Sequence, residues 1–392
     1  MVLALFLLLG ARPAPPVESL FLLISIDGMR HDYPERAGAA TFQRLAREGV
    51  RARRLVPPFP ASTFPSHATL ATGCYAERHG ILNSRFLDRS RGEFDRSDDP
   101  GWLECEPLWV TAQKQGIHSA VLNWVGSYGP WRGVEASRHS SGYESLSDRE
   151  SVRRIVEWLE LPASDRPRLM MAYLSGVDHV GHTQGPDSPE VLRGVVSVDR
   201  VLAFLLKEIS RRGLSERANL ILVTDHGMAE SAGRVDPGSV LRRGRLRHRL
   251  IASGGSANVY LDRPSDGDKA FSMLSRMPHL EVFRPAALPR ELRYGFPGRT
   301  GDLVLLATPG FEIGGEGGYP REQLKGIHGF RGTEPSMAGV FYARGPAFRA
   351  GAEIDRLEAV DIAPLACAVL GIRVSRDSQG RIPEGILRSS SP

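Results

Sequence analysis

Three apolar runs, each delivering an acid just beyond its end, restrict this chain to few folds. Leu20 to Ile26 (LFLLISI) leads into Asp27-Gly28, Leu169 to Leu174 leads through Ser175-Gly176-Val177 to Asp178, and Asn219 to Thr224 (NLILVT) leads into Asp225. Continuous apolar runs of this length read as parallel strands buried on both faces. Segments of helical pattern separate them: Ala39 to Glu48, Leu108 to Gln115, Arg149 to Leu159 and the long Ser188 to Arg211, with a further strand at His118 to Trp124. Strands alternating with helices give an α/β fold, a mostly parallel central sheet with helices on both faces. In such sheets the chemistry gathers at the C-terminal strand ends, where these acids stand.

The alternation breaks between Arg234 and Glu316, which is loop-rich, with short strands expected at Asn258 to Leu261 and Leu303 to Ala307 and a helix near Asp268 to Arg276. We read 234–316 as a smaller inserted α+β subdomain, between a first part of the core (19–233) and a second (317–387). The second part opens on Lys325 to Phe330, followed by a strand at Ala338 to Ala343 and a helix at Asp361 to Leu370; residues 388–392 read as a disordered tail. At the other end, Val2 to Leu9 is apolar but far short of the roughly 20 residues that span a bilayer. Residues 1–18 therefore read as a signal peptide or N-terminal anchor, which implies an exported protein, periplasmic or extracellular. Cys74, Cys105 and Cys367 have no metal-like spacing, and a Cys74 to Cys105 bridge and free buried thiols are equally compatible with the sequence.

The net charge of +5 raises the question of an acidic partner, but the lysines are only four and the many arginines are scattered. The densest run, Arg242 to Arg249 (RRGRLRHR), has no interleaved aromatics to stack bases and reads as a solvated loop, so no nucleic-acid partner is expected.

The remaining chemistry centres on Phe59 to Leu70 (FPASTFPSHATL), where two prolines and small residues precede a helical pattern from Phe64 to Gly73. Thr63 then stands at the helix's positive end, where unpaired N–H groups favour an alkoxide and a bound phosphate. Taken alone, Ser62 or Thr63 is a helix cap. Taken with Asp27, Asp178, His182, Asp225, His226 and His328, the hydroxyl joins three carboxylates and three imidazoles, a set sized for two metal ions. Asp178 and His182 can meet one ion from a single helical turn. Oxygen and nitrogen donors without thiolate suit two Zn2+, with Mn2+ or Mg2+ less favoured because of the three histidines. His67, His79 and His179 lie beside these loops and are read as supporting residues.

The motifs ISIDGMR around Asp27, FPASTFPSHATLATG around Thr63, DHVGH at Asp178 and His182, TDHGM at Asp225 and His226, and GIHGF at His328 stand in one order. In that order they resemble the nucleotide pyrophosphatase/phosphodiesterases of the alkaline phosphatase superfamily, over nearly everything from Phe21 to Ile372. The resemblance implies an alkaline-phosphatase-like core with one zinc held by Asp178, His182 and His328. It implies a second zinc on Asp27, Asp225 and His226, with Thr63 as a further ligand and as the nucleophile that forms a phosphothreonine intermediate. Phe64 resembles the family's base-stacking aromatic. Where the family places an asparagine that contacts a nonbridging phosphate oxygen, this chain has Ser84, with Asn83 one residue out of register. Ser84 has a shorter reach, and losing such a donor costs about 100-fold in rate by analogy with oxyanion donors.

The expected activity is hydrolysis of a small phosphodiester or pyrophosphate, nucleotide-like substrates favoured. Two competitors remain: a phosphomonoesterase or phosphonate hydrolase on the same scaffold, and a metal-binding pseudoenzyme serving as an interaction protein.

Overall fold

A computed structural model describes residues 19–315 and 324–388. The expected signal segment 1–18, the end of the inserted stretch at 316 and the tail from 389 onwards lie outside the described residues.

The central sheet has eight strands in the order Ala352–Glu358, Val50–Val56, Gly339–Arg344, Ala218–Val223, Leu20–Ile26, Leu169–Leu174, Ser119–Leu122 and Arg138–His139. Seven run in one direction and Gly339–Arg344 runs against both its neighbours. Period-two alternation explains why the central strand is apolar throughout: Phe21 and Leu23 enter one core, while Leu20, Leu22, Ile24 and Ile26 enter the other. Helices Thr63–Thr72 and Ile362–Leu370 pack on the first face through Ala68, Leu70, Ile362 and Leu365. Helices Ala40–Glu48, Asp148–Leu159 and Pro189–Arg211 cover the second through Phe42, Leu45, Val152, Ile155, Val195 and Leu202. The α/β reading of the sequence is therefore the observed architecture.

A second, antiparallel sheet has the order His248–Ser253, Ser256–Leu261, Leu303–Ala307 and Leu280–Phe283. It shares its core with its surroundings: Val304 and Leu306 join the core of the first face, whereas Leu303 and Leu305 pack with Ala61, Ile327 and Phe330. Buried Arg299, 1% exposed, ties the same stretch to the Arg85–Asp88 and Gly92–Asp95 hairpin. Its guanidinium donates to Asp88 at 3.0 Å, Glu104 at 2.8 Å and the carbonyls of Gly80 and Trp102.

The structure corrects two expectations, on Arg242 to Arg249 and on Gly326–Ile327, and adds two strands. Arg242 to Arg249 is not one loop: Arg242 and Arg243 end the helix Pro237–Arg243, Leu246 is buried, and His248 and Arg249 begin a strand. Val50–Val56 (VRARRLV) is a sheet strand despite three arginines, because Val50, Ala52, Leu55 and Val56 face inward while Arg53 and Arg54 are exposed. Gly326–Ile327 belongs outside the main sheet, pairing with Ala229–Glu230. Ala352–Glu358, an unexpected strand, forms the sheet's edge. Cys74 and Cys105 are disulfide-bonded, and Cys367 is free and buried.

Candidate active site

Register brings the acids together. Ile26 pairs with Leu174, and Ser25 with Val223, so the three buried strands end level with one another. Asp27 follows the first directly, Asp178 opens the helix Asp178–Gln184 beyond the second, and Asp225 stands two residues past the third. Gly28, at φ +65°, turns the chain there, and a Cβ on it would lie 2.9 Å from the Asp178 Cα. Only glycine lets these two loops approach so closely. Thr63 is the first residue of the helix Thr63–Thr72, with Ser62 in extended backbone before it and no side-chain cap. Pro65 has no N–H, so the donors at this helix end are the amides of Thr63 and Phe64.

Thr63 Oγ1 lies 3.3 Å from His226 Nε2 and 3.5 Å from Asp27 Oδ2. His226 Nε2 is 3.3 Å from Asp27 Oδ1, His182 Nε2 is 3.3 Å from Asp178 Oδ2, and the rings of His226 and His328 stack at 3.8 Å. Each histidine is held the same way. Nδ1 of His226 faces the Gly227 carbonyl at 2.9 Å, that of His182 faces Gly326 O at 2.7 Å, and that of His328 faces Ala61 O at 3.2 Å. A carbonyl accepts only, so each Nδ1 carries the proton and each Nε2 presents a lone pair inward. This is the arrangement that metal-ligating histidines use.

The carboxylates tell the same story. Asp27 Oδ1, Asp178 Oδ1 and Asp225 Oδ2 are buried and accept no hydrogen bond from the described residues. Burial, then the charges of Asp178 and Asp225, pushes Asp27 well above the usual carboxylate range. Burial works against Asp178 ionising, yet the His182 imidazole holds it below its ordinary value and is itself raised in return. Burial, with His226 beside it, drives His328 well below the ordinary histidine value. Acids this close and this short of donors are matched by a cation. Candidate ligand atoms of Asp27, Asp225 and His226 lie within 4.8 Å of one another, as do those of Asp178, His226 and His328. His226 thus stands between two groups, with His182 against Asp178.

The family follows from a comparison of sequences. The profile of the family described as type I phosphodiesterase / nucleotide pyrophosphatase matches residues 21–331. The chain belongs to that family. Human ectonucleotide pyrophosphatase/phosphodiesterase family member 7 is 30% identical over 95% of this chain and 85% of its own length. An uncharacterized pyrophosphatase/phosphodiesterase of Schizosaccharomyces pombe is 31% identical over 85% of this chain and 72% of its own. Family member 1 of Mus musculus is 28% identical over 90% of this chain, but the chain spans only 40% of that protein. Among solved structures, murine ectonucleotide pyrophosphatase / phosphodiesterase 5 superimposes with a TM-score of 0.87 at 26% identity, covering 94% of this chain and all of that one. An inactive threonine-to-alanine form of that murine protein, in complex with AMP, gives 0.85 at 27% identity. The chain is thus a hydrolase of the phosphodiesterase/pyrophosphatase family, with its alkaline-phosphatase-like fold.

Within this family member the site opens into a cavity of about 780 Å3. Asp27, Thr63, Phe64, Ser84, Asp178, His182 and His328 line it. Phe64 is buried, packed against Phe94 and Tyr143. Asn83 is turned inward instead: its Oδ1 accepts from Ser62 Oγ and the Ser84 amide, and its Nδ2 donates to Ser256 Oγ. Of the two neighbours expected to bind substrate, only Ser84 faces the cavity. His67 lies beneath, with Nδ1 on Thr63 O at 2.8 Å and Nε2 on Ser25 Oγ at 2.9 Å. His79 is remote and buried, and His179 is exposed on the cavity wall.

Sequence reasoning missed Tyr173, Tyr143, Glu144 and Arg96. The Tyr173 hydroxyl donates to Asp27 Oδ2 at 2.5 Å and meets Tyr143 OH at 3.1 Å. Glu144 Oε1 lies 3.2 Å from it. In LMMAYL, Tyr173 looks like one more apolar strand residue; its place one position from the end of a strand beside Asp27 was the available signal. Arg96, Tyr143 and Glu144 sit in loops without a motif.

Proposed function

We propose that this protein hydrolyses phosphodiester or pyrophosphate bonds of small nucleotide-like substrates through a phosphothreonine intermediate on Thr63. The observation that carries the reading is the placement of the Thr63 hydroxyl. It is half-buried at the start of an uncapped helix, within 3.5 Å of two candidate metal ligands, and open to the cavity. Asp27, Asp225 and His226 would hold one ion; Asp178, His182 and His328 would hold the other. Three inward-facing imidazoles favour Zn2+ over Mg2+ or Mn2+. When bound, such a pair supplies the charge that acidifies a hydroxyl and steadies a leaving oxygen.

The chain's own residues do the rest. Thr63 attacks phosphorus in line and the leaving oxygen departs from the opposite face. The Thr63 and Phe64 amides, at the helix's positive end, receive nonbridging oxygens, and Ser84 contributes its hydroxyl where the family has an amide. Tyr173 fixes the Asp27 carboxylate through its short hydrogen bond. Water entering from the cavity then cleaves the phosphothreonine and restores the hydroxyl. The relatives' names, ectonucleotide pyrophosphatase/phosphodiesterase and, for the Xenopus laevis protein at 29% identity, bis(5'-adenosyl)-triphosphatase, support nucleotide substrates and an exported location for this chain. No described helix is long and apolar enough to cross a membrane.

The test is a direct comparison of bis(p-nitrophenyl) phosphate with p-nitrophenyl phosphate, before and after chelation. The diester is expected to be the better substrate, with activity lost to chelator and regained with Zn2+. A clear monoester preference, the mark of a phosphomonoesterase, sinks the reading.

A further inference from the structure

His67 lies beneath the nucleophile, fully buried, and its ring reaches three parts of the site at once. Nδ1 is 2.8 Å from the Thr63 carbonyl, and Nε2 is 2.9 Å from Ser25 Oγ, on the strand that leads into Asp27. A carbonyl accepts only, so Nδ1 carries the proton and donates it to Thr63 O. That nitrogen is also 3.6 Å from Asp225 Oδ2, a buried oxygen that accepts no hydrogen bond from the described residues. Two aromatic rings hold the imidazole in this pose. Trp124 meets it edge-on at 4.9 Å and donates from its indole N–H to the His67 carbonyl at 3.1 Å. Tyr173, whose hydroxyl is committed to Asp27, meets it edge-on at 4.8 Å.

The carbonyl that His67 holds belongs to the peptide joining Thr63 to Phe64. A peptide is planar and trans, so its C=O and N–H point in opposite directions and fixing one aims the other. Here the other end is the Phe64 amide, one of the donors at the uncapped start of the helix Thr63–Thr72. One rigid unit therefore connects the nucleophile's own backbone to a donor for the substrate's nonbridging oxygen. A buried histidine needs partners only for its two nitrogens, and any carbonyl and hydroxyl would serve. His67 takes the carbonyl of the nucleophile itself, beside a candidate metal ligand.

We propose that His67 is a positioning residue: through Nδ1 it sets the Thr63–Phe64 peptide, and with it the nucleophilic hydroxyl and the Phe64 donor, in a fixed pose over the candidate metal group. The proposal rests on the functional reading above. His67 itself touches neither substrate nor phosphorus.

Two variants divide the ring between them. In His67→Asn the side-chain amide takes the place of Nδ1 and keeps the donor to Thr63 O; in His67→Gln it takes the place of Nε2 and faces Ser25 instead. Gln fills more of the buried space, so His67→Gln should melt above His67→Asn, while activity should rank the other way. With thymidine 5'-(p-nitrophenyl phosphate), His67→Gln is expected to lose about 10 to 100-fold in kcat with KM little changed, the scale of a misplaced reacting group. His67→Asn should recover most of that loss, and metal content should match wild type in both. Activity that follows the melting order, with Gln at or above Asn, makes His67 a packing residue and overturns the proposal. So does a loss that disappears when metal is added back. The wild-type protein gives a readout that no variant's folding can obscure: imidazole nitrogen shifts in NMR should place the His67 proton on Nδ1, and a proton on Nε2 alone overturns the proposal. Wild-type enzyme that releases no p-nitrophenolate overturns the functional reading and the proposal with it.

Discussion

His79 shows how a single buried side chain can be read to the proton. Its Nδ1 accepts from the Ile81 amide at 3.1 Å, so the proton sits on Nε2, which faces Thr69 Oγ1 at 3.1 Å. Protonation would set two donors against each other, and burial, with the Arg299 cation nearby, brings the imidazole from 6.5 down to about 3. Between those values the unfolded chain binds the extra proton and the folded chain does not. The contribution to stability is full above about pH 6.5 and is lost as pH falls toward 3, at up to about 1.4 kcal/mol per pH unit. Urea unfolding at pH 7 and pH 5 should show His79→Gln losing less stability than wild type over that interval; an identical loss would mean that His79 is not the group titrating. The sequence places His79 only beside a ligand loop, whereas the structure buries it away from the cavity with Thr69 and Ile81 as its partners. Thr63, by contrast, gained its meaning from partners far away in the chain, because a hydroxyl before a helix is by itself a cap.

At the level of elements, the strands that carry the chemistry were legible because burial on both faces leaves no room for polar residues. Leu20–Ile26 and Leu169–Leu174 begin and end where their apolar runs do. Val50–Val56 and Ala352–Glu358 were not, because they are the outermost pair at one side of the sheet, where residues of each strand meet solvent and arginine and glutamate are accepted. The loops after the strands need a clamp that no periodicity reveals. Arg30 supplies one: it donates to Asp32 at 2.7 Å, Asp187 at 2.8 Å and the Met228 carbonyl at 3.3 Å, and its guanidinium lies over Tyr33. It thereby joins the stretches after Asp27, His182 and His226. Arg30→Met should weaken metal retention by about 10 to 100-fold, the cost typical of losing support behind ligands. Competition with a chelator, read by metal content rather than turnover, checks this; unchanged retention would make Arg30 a folding residue only.

The whole molecule is a sheet that gathers charges of one sign at one edge. Asp27, Asp178 and Asp225 would repel one another in the buried site, and three imidazoles with fixed tautomers turn their lone pairs toward the same space, so the set as a whole is matched by cations. The sequence could indicate this convergence, since acids at the ends of parallel strands must meet. It could not supply the cavity wall, because Tyr143, Glu144 and Arg96 arrive on loops whose course depends on tertiary packing. The second sheet was visible as broken alternation, but its shared core with Ala61 and Phe330, beside the nucleophile's turn and His328, was not. The central claim is that Thr63 becomes covalently phosphorylated or nucleotidylated during turnover. Acid-quenched enzyme, digested and mapped by mass after mixing with thymidine 5'-(p-nitrophenyl phosphate), tests it most directly. The account predicts the substrate-derived mass on the peptide containing Thr63, and neither adduct nor turnover in Thr63→Ala. Turnover that persists in that variant, or an adduct on another residue, would contradict it.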